Sequence, residues 1–151
     1  MIESEISKLE EAIRKSWSKE TSSDPEKWAY ENPAWGQCAV TALLVNDYLG
    51  GDIVWAEAKL PDGKGISHYF NRIEGREIDL TRRQFPEGTI IPAGIEKKKE
   101  YDSTREYVLL APGSTTRQRY EILKERVDET IAWMRVGRPI DIIATRFMKK
   151  S

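Results

Sequence analysis

The chain is poor in the residues that build metal sites and disulfides. Its 151 residues include one cysteine and one histidine. One cysteine excludes an internal disulfide and a multi-cysteine zinc site, and one histidine leaves too few ligands for a histidine-based metal centre. We therefore expect no cofactor and no metal. A lone thiol also survives best in a reducing compartment, which favours the cytoplasm.

An excess of charge of one sign and long apolar runs are also missing. The 24 basic and 25 acidic side chains give a net charge of −1, so no basic field attracts nucleic acid or an anionic membrane. No apolar run approaches the roughly 20 residues that span a bilayer. Residues 1–5 lack the basic start and apolar stretch of a signal peptide. We expect a cytoplasmic protein with no nucleic-acid or membrane partner, and monomer and homodimer stay open.

The hydrophobic pattern predicts one α+β domain over residues 1–151. Apolar residues at helical spacing predict amphipathic helices at 2–17 and 114–134, and an apolar run predicts a buried helix at 37–49. Residues rich in β-formers predict an antiparallel meander, with strands at 53–60, 66–73 and 76–80. The buried helix should pack on this sheet, flanked by the N- and C-terminal helices.

The remaining segments carry weaker signals. A capping box at 103–106 opens a short helix that ends near residue 111. Asp24 and Pro25 suit the start of another short helix, over residues 24–28. A short strand fits 89–91, and the apolar tail of about 137–151 should pack on the domain or on a partner subunit.

The only cysteine lies at the start of the buried helix. Cys38 follows Trp35-Gly36-Gln37 and precedes an apolar run, so we expect its thiol in the first helical turn. The unpaired N–H groups and the helix dipole favour a thiolate there. The alternative is that Cys38 is a small hydrophobic residue of the core, as free cysteines often are.

The only histidine and one aspartate fall on neighbouring predicted strands. A two-residue turn at Glu74-Gly75 places Ile73 opposite Arg76. His68 and Asp79 then share one face as diagonal neighbours, about 7–8 Å apart at the backbone. A three-residue turn would put Asp79 on the opposite face. As alternatives, His68 is a structural residue and Asp79 caps the turn that follows it.

A cysteine, a histidine and an aspartate match the roles of nucleophile, base and orienting group. Cys38 would attack an acyl or amide carbonyl, His68 would move the proton, and Asp79 would hold the imidazole. Oxyanion donors would include the backbone N–H of Cys38 and a second group from Gln37 or Trp35, with Asn71 as a further cleft residue. The aromatic loop at 28–35 either walls this cleft or pins a long loop to the core.

The order of these residues resembles that of known enzymes. A cysteine at a helix start, then histidine and aspartate on successive strands, is similar to the papain-like superfamily, which includes transglutaminase-like proteins, arylamine N-acetyltransferases and NlpC-type peptidases. More closely, the chain resembles the YunG-like family over roughly residues 1–130. That resemblance rests on five segments: 14–18, 36–43, 47–53, 67–72 and 78–85.

The resemblance implies a papain-like core but no particular substrate, because fold does not fix function. The sequence predicts a cytoplasmic cysteine hydrolase or acyl/amide transferase of the peptidase, amidase or transglutaminase type. Its partner would be a small-molecule or peptide acyl or amide substrate. The alternative is a non-enzymatic binding module on the same scaffold.

Overall fold

The chain folds into helices packed around a small antiparallel sheet. The computed structural model describes residues 2–136. In this range four α-helices and three strands follow one another as α1 (Ile2–Ser16), α2 (Cys38–Leu49), β1 (Asp52–Lys59), β2 (Gly65–Ile73), β3 (Arg76–Ile78), α3 (Thr104–Leu110) and α4 (Thr116–Val136). The predicted α+β class is confirmed. The tail at 137–151 lies outside the described residues.

The sheet has the order β1-β2-β3, with both neighbouring pairs antiparallel. Ile73 pairs with Arg76 and Asn71 pairs with Ile78, so the two-residue turn and its register are confirmed. Glu74 and Gly75 both have positive φ, at 52° and 77°, as a tight hairpin turn requires. β3 ends two residues earlier than expected, which leaves Asp79 just beyond the strand.

Helix α2 is apolar on nearly all sides, and other elements cover it on two of these sides. It packs against β2 on one side and against α4 on the other, and α1 in turn contacts α4. Its residues 40–45 are buried. Four of the largest fully buried side chains in this core come from α1, α2 and α4: Ile13, Leu43, Leu44 and Leu123.

The second face of the sheet is covered as well. Val54, Ala56 and Phe70 form a smaller buried cluster there, with Ile91 packed against it. Because side chains alternate along β2, Tyr69 and Asn71 face α2, whereas His68 and Phe70 lie on the opposite face. Both faces therefore exclude water around the middle of β2.

Two local predictions are wrong. Residues 25–27 form a turn rather than a helix, in which the N–H of Trp28 donates to the carbonyl of Asp24 at 3.1 Å. The strand expected at 89–91 is reduced to one bridge, between Ile90 and Lys59. In the range 2–136, no helix is long and apolar enough to cross a membrane.

Candidate active site

Cys38 is the first residue of α2, and a tight loop presents it. Gly36 has a φ of 73°, and a β-carbon at this position would overlap the Ser22 hydroxyl. That hydroxyl donates to the carbonyl of Trp35 at 2.7 Å, and the N–H of Ser23 donates to the carbonyl of Gly36 at 2.9 Å. The segment 22–23 therefore fixes the two residues that lead into Gln37 and Cys38.

The thiol of Cys38 is half-buried and free. Gln37 is the N-cap residue of α2, but its side chain makes no hydrogen bond to the backbone of the helix. The first helical bond runs from the N–H of Thr41 to the carbonyl of Gln37. The N–H groups that precede Thr41 in α2 thus keep the donor capacity of a helix start. This part of the site favours negative charge on sulfur or on an oxygen beside it.

His68 is held rigidly and is fully buried, with 0% of its surface exposed. Its Nε2 lies 2.7 Å from Oδ2 of Asp79. The ring stacks on Phe70 at 5.4 Å and meets the ring of Phe85 edge-on at 5.0 Å. These contacts fix the imidazole plane and leave Nδ1 without a partner at hydrogen-bonding geometry among the described residues.

The surroundings of His68 favour its protonated form. Burial is the largest influence and lowers the pKa, but the hydrogen bond to Asp79 and then the influence of the Cys38 thiol outweigh it and raise the pKa to about 9. The imidazole is therefore mainly protonated at neutral pH, with both nitrogens as donors. Nε2 donates to Asp79, and Cys38 is the other titratable side chain that affects the pKa of the ring.

Asp79 combines both roles that the sequence left open. Its Oδ2 receives the His68 proton donor, while its Oδ1 accepts from the N–H of Thr81 at 3.2 Å. The hydroxyl of Thr81 lies 3.4 Å from the same oxygen. Thr81 is itself buried. The carboxylate is thus oriented from behind by the turn that it caps.

Two of the three other predicted site residues, Gln37 and Trp35, use their polar side chains within the loop. Gln37 is 0% exposed, and its Nε2 donates to the carbonyl of Ser18 at 2.9 Å, while Oε1 has no partner among the described residues. The Trp35 indole donates to Asp24 at 3.1 Å. Their backbones remain beside Cys38, but their polar side chains hold the loop.

Asn71 is not brought to this site. It lies on the α2 face of β2, opposite to His68, and its Nδ2 donates to the carbonyl of Ala42 at 2.9 Å. Its role is therefore to tie the sheet to the middle of α2. The reason is the alternation of side chains along the strand, which separates positions 68 and 71.

The aromatic loop at 28–35 is pinned by hydrogen bonds of its own. The Trp28 indole donates to the carbonyl of Pro33 at 2.9 Å, and the Trp28 and Tyr30 rings meet edge-on at 5.0 Å. Tyr30 is nevertheless 88% exposed. The loop is therefore held by contacts between its own residues, and it leaves one aromatic ring in solvent.

Two groups that the sequence reasoning missed also belong to the surroundings of Cys38. Burial, Tyr107 and Cys38, in that order, raise the pKa of Tyr69 to about 12. Burial lowers the pKa of Arg119, and the charge of Cys38 opposes that effect.

The described residues contain no cluster of three or more histidine, cysteine, aspartate or glutamate side chains that could hold a metal ion. They do contain the contact between the His68 imidazole and the Asp79 carboxylate, and a thiol at a helix start that acts on that imidazole. That arrangement can form a thiolate–imidazolium pair and transfer a proton between sulfur and a leaving group.

Comparison with known proteins finds one family model and one relative that match most of the chain. The model of the YunG protein family matches residues 5–132, a range that includes Cys38, His68, Asp79 and Arg119. The chain is 34% identical over 113 residues to the uncharacterized protein YunG of Bacillus subtilis (strain 168), which covers 75% of this chain and 83% of that relative. No solved structure matches the chain.

Proposed function

The chain belongs to the YunG family, and we propose that it is a cysteine hydrolase or acyl/amide transferase in which Cys38, His68 and Asp79 act as a triad. The observation that carries this proposal is the state of His68. Its ring is fully buried, its Nε2 is bonded to Asp79 at 2.7 Å, and its Nδ1 has no hydrogen-bond partner within residues 2–136.

The chemistry follows from the protonation states. The Cys38 thiolate attacks the carbonyl carbon of an acyl or amide substrate, and a carbon–sulfur bond forms. The imidazolium of His68 gives its proton to the leaving amine or alcohol, whose bond to the carbonyl carbon breaks and leaves a thioester. Water or an acceptor amine then attacks the thioester, His68 takes a proton from it, and the thiolate is released.

Backbone N–H groups are the oxyanion donors that we propose. The N–H of Cys38 and its neighbours at the start of α2 face the region where the carbonyl oxygen would become negative. Gln37 supports them indirectly, because its amide nitrogen already donates to Ser18. Asn71 takes no part, since its amide is bonded to Ala42 on the other face of the strand.

The finer fold and the setting of this activity are part of the same proposal. A cysteine helix packed on a sheet that carries histidine, followed by an aspartate, supports a papain-like core. The lone free thiol supports a cytoplasmic location, and the near-zero net charge supports a small or peptide acyl substrate rather than nucleic acid or membrane.

Alkylation of the single thiol tests the proposal directly. At pH 6 an ordinary thiol with a pKa of about 8.5 is only about 0.3% thiolate, so a thiolate held by His68 should react with iodoacetamide at least tenfold faster. Mass spectrometry of the intact protein measures the alkylated fraction directly, because Cys38 is the only cysteine. His68→Ala should lose the advantage, and Tyr30→Ala should keep it.

The second step is acyl transfer itself. A burst of one equivalent of p-nitrophenol from p-nitrophenyl acetate, with one acetyl group on Cys38 by mass, is expected for the native protein and not for Cys38→Ala. A thiol that alkylates at the ordinary rate and gives no acyl adduct would remove the enzymatic proposal.

A non-enzymatic binding module is the alternative, and one observation favours it. Tyr30, 88% exposed, lies at a groove of about 700 Å³ that Trp28, Lys15, Lys19 and Arg126 also line. Glu20 and Glu31 line the groove as well, so its net charge is only slightly positive, and the solvent-exposed aromatic ring is the feature that suits a partner. An unreactive Cys38, together with binding of a Glu-rich peptide that Tyr30→Ala abolishes, would favour this function instead.

A further inference from the structure

Gln84 is a buried residue whose side chain joins two distant segments of the chain. It ends the 3₁₀ turn Arg82–Gln84, and only 6% of its surface is exposed. Its Nε2 donates to Thr81 Oγ1 at 3.1 Å, and its Oε1 accepts from the N–H of Gly36, 48 positions away, at 3.3 Å. One amide therefore links the turn that Asp79 caps to the loop that presents the thiol.

The backbone of Gln84 is anchored as well, which leaves its side chain little freedom. Its N–H donates to the carbonyl of Thr81 at 3.0 Å, and its carbonyl accepts from Asn32 Nδ2 at 3.0 Å. The next residue, Phe85, meets the His68 ring edge-on at 5.0 Å. The segment 81–85 thus contacts the imidazole, the carboxylate behind it and the cysteine loop at once.

The direction of these hydrogen bonds follows from one backbone group. The N–H of Gly36 can only donate, so the Gln84 atom that faces it is Oε1, and Nε2 is then the atom that faces Thr81. A hydroxyl has a single proton, and Thr81 Oγ1, which accepts from Nε2, keeps that proton for Oδ1 of Asp79 at 3.4 Å. All donors in this series point from the cysteine loop toward the carboxylate that holds His68.

The loop before Cys38 is held from two sides, and Gln84 supplies the side of the proton-transferring pair. The segment 22–23 binds the carbonyls of Trp35 and Gly36. The N–H of Gly36 is bound from the opposite direction, by Gln84. Since a displacement of about 1 Å in a reacting group can cost about 100-fold in rate, this bond bears on the chemistry of a thiol only two residues further along the chain.

We propose that Gln84 is a positioning residue that holds the cysteine loop in register with the His68–Asp79 pair. This role rests on the proposed function. Gln84 acts through Gly36 and Thr81, so that the nucleophile at the start of α2 and the pair carried by the sheet keep one geometry although they lie on different elements.

Three substitutions of Gln84 test this role. Gln84→Met keeps the length of the side chain and removes both of its hydrogen bonds. Gln84→Glu keeps an oxygen that accepts from the N–H of Gly36, whether the carboxyl is charged or neutral. Gln84→Asn is one methylene shorter, so its amide does not reach both partners. The readouts are the rate of the p-nitrophenol burst, corrected for the folded fraction, and hydrogen exchange of the Gly36 amide by NMR.

We expect Gln84→Met to acylate Cys38 about 10- to 100-fold more slowly than the native protein. Its Gly36 amide should exchange faster, because the acceptor is gone. Gln84→Glu should restore the burst to within about threefold of the native rate, because the bond to Gly36 is retained. A residue that only fills space would give no such rescue, since methionine occupies a similar volume.

Gln118→Met is the matched control. Gln118 is exposed on α4, so the same change of side chain there leaves the interior intact. We expect a native burst rate and native exchange of the Gly36 amide. A burst slowed as far as in Gln84→Met would overturn the proposal, because the position of Gln84 would then not matter.

The possible failures are distinguishable. A native thiol that alkylates at the ordinary rate and gives no acyl adduct overturns the proposed function and the positioning role with it. A native burst that Gln84→Met leaves unchanged overturns the role of Gln84 alone, and so does a Gln84→Glu variant that is as slow as Gln84→Met. If Gln84→Met does not fold, Gln84→Asn decides: a native burst with faster Gly36 exchange overturns the role, and a slowed burst that Gln84→Glu restores supports it.

Discussion

Replacing Asp79 with asparagine should change the protonation of His68 more than any other single substitution. The pKa of His68 is about 9, against an ordinary value of about 6.5, although burial alone lowers it. The bond to Asp79 at 2.7 Å is the leading contribution that raises it. Asparagine keeps the shape and an acceptor oxygen but removes the negative charge.

The magnitude follows from that charge. An opposite charge in contact moves a pKa by about 1–3 units, so the Asp79→Asn variant should have a His68 pKa of about 6–8. At pH 7.5 the native imidazole would be about 97% protonated, and the variant between about 3% and 76%. Because each pKa unit corresponds to about 1.4 kcal/mol, the thiolate–imidazolium pair would lose about 1–4 kcal/mol.

The assay is an NMR titration of the ring carbon–proton signals. His68 is the only histidine, so its signals need no assignment by mutagenesis. A native midpoint near 6.5, or a midpoint that Asp79→Asn does not lower, would refute the electrostatic argument. Thr81→Val removes the weak 3.4 Å contact behind Asp79 and the hydrogen bond that Gln84 donates to the Thr81 hydroxyl at 3.1 Å. Because neither bond touches the imidazole, this substitution should change the midpoint little.

The raised pKa of His68 also predicts the direction in which the stability of the protein changes with pH. Because the folded value of about 9 lies above the unfolded value of about 6.5, stabilisation by His68 is complete below about pH 6.5 and is lost as the pH rises through 9. The difference of about 2.5 pKa units corresponds to about 3 kcal/mol. In urea unfolding, the native advantage over His68→Gln should shrink by about that amount between pH 6 and pH 9.5, and an advantage that grows would contradict the sign.

Three further substitutions test the packing around the site. Asn71→Leu should lower the free energy of unfolding by about 1–3 kcal/mol, because the buried hydrogen bond from β2 to the carbonyl of Ala42 in α2 is lost; Cys38 alkylation should not change if Asn71 lies outside the site. Gly94→Ala should cost about 1–3 kcal/mol in urea unfolding, because a β-carbon there would overlap Val54. Gly36→Ala should slow alkylation of Cys38, because its φ of 73° disfavours a side chain; an unchanged rate would mean that the loop tolerates the strain.

Much of the fold was predictable because the relevant signals are local. The apolar run after Cys38 predicts a buried helix, since no other placement removes so many consecutive apolar side chains from water. The Glu74-Gly75 pair predicts the hairpin turn and with it the register of β2 and β3. Since that register fixes which face each side chain takes, the contact between His68 and Asp79 could be predicted from the sequence as well.

Other features of the site depend on residues that are distant in the chain. Nothing near Asn71 in sequence shows that its amide binds the carbonyl of Ala42 rather than a substrate. The side chains of Gln37 and Trp35 donate to Ser18 and Asp24, which the folded loop brings close to them. Hydrogen-bond partners of this kind are chosen by tertiary packing, which composition and spacing do not encode.

The sequence by itself determined the α+β class, the place of the thiol at a helix start and the pairing of one histidine with one aspartate. Each follows from periodicity or turn chemistry within a few residues. Only the tertiary structure buried the imidazole among Phe70 and Phe85 and bonded Gln84 to the loop of Cys38. The physical reason is that burial and long-range hydrogen bonding depend on which surfaces meet, and residues 48 positions apart, such as Gly36 and Gln84, meet only after the whole chain has packed.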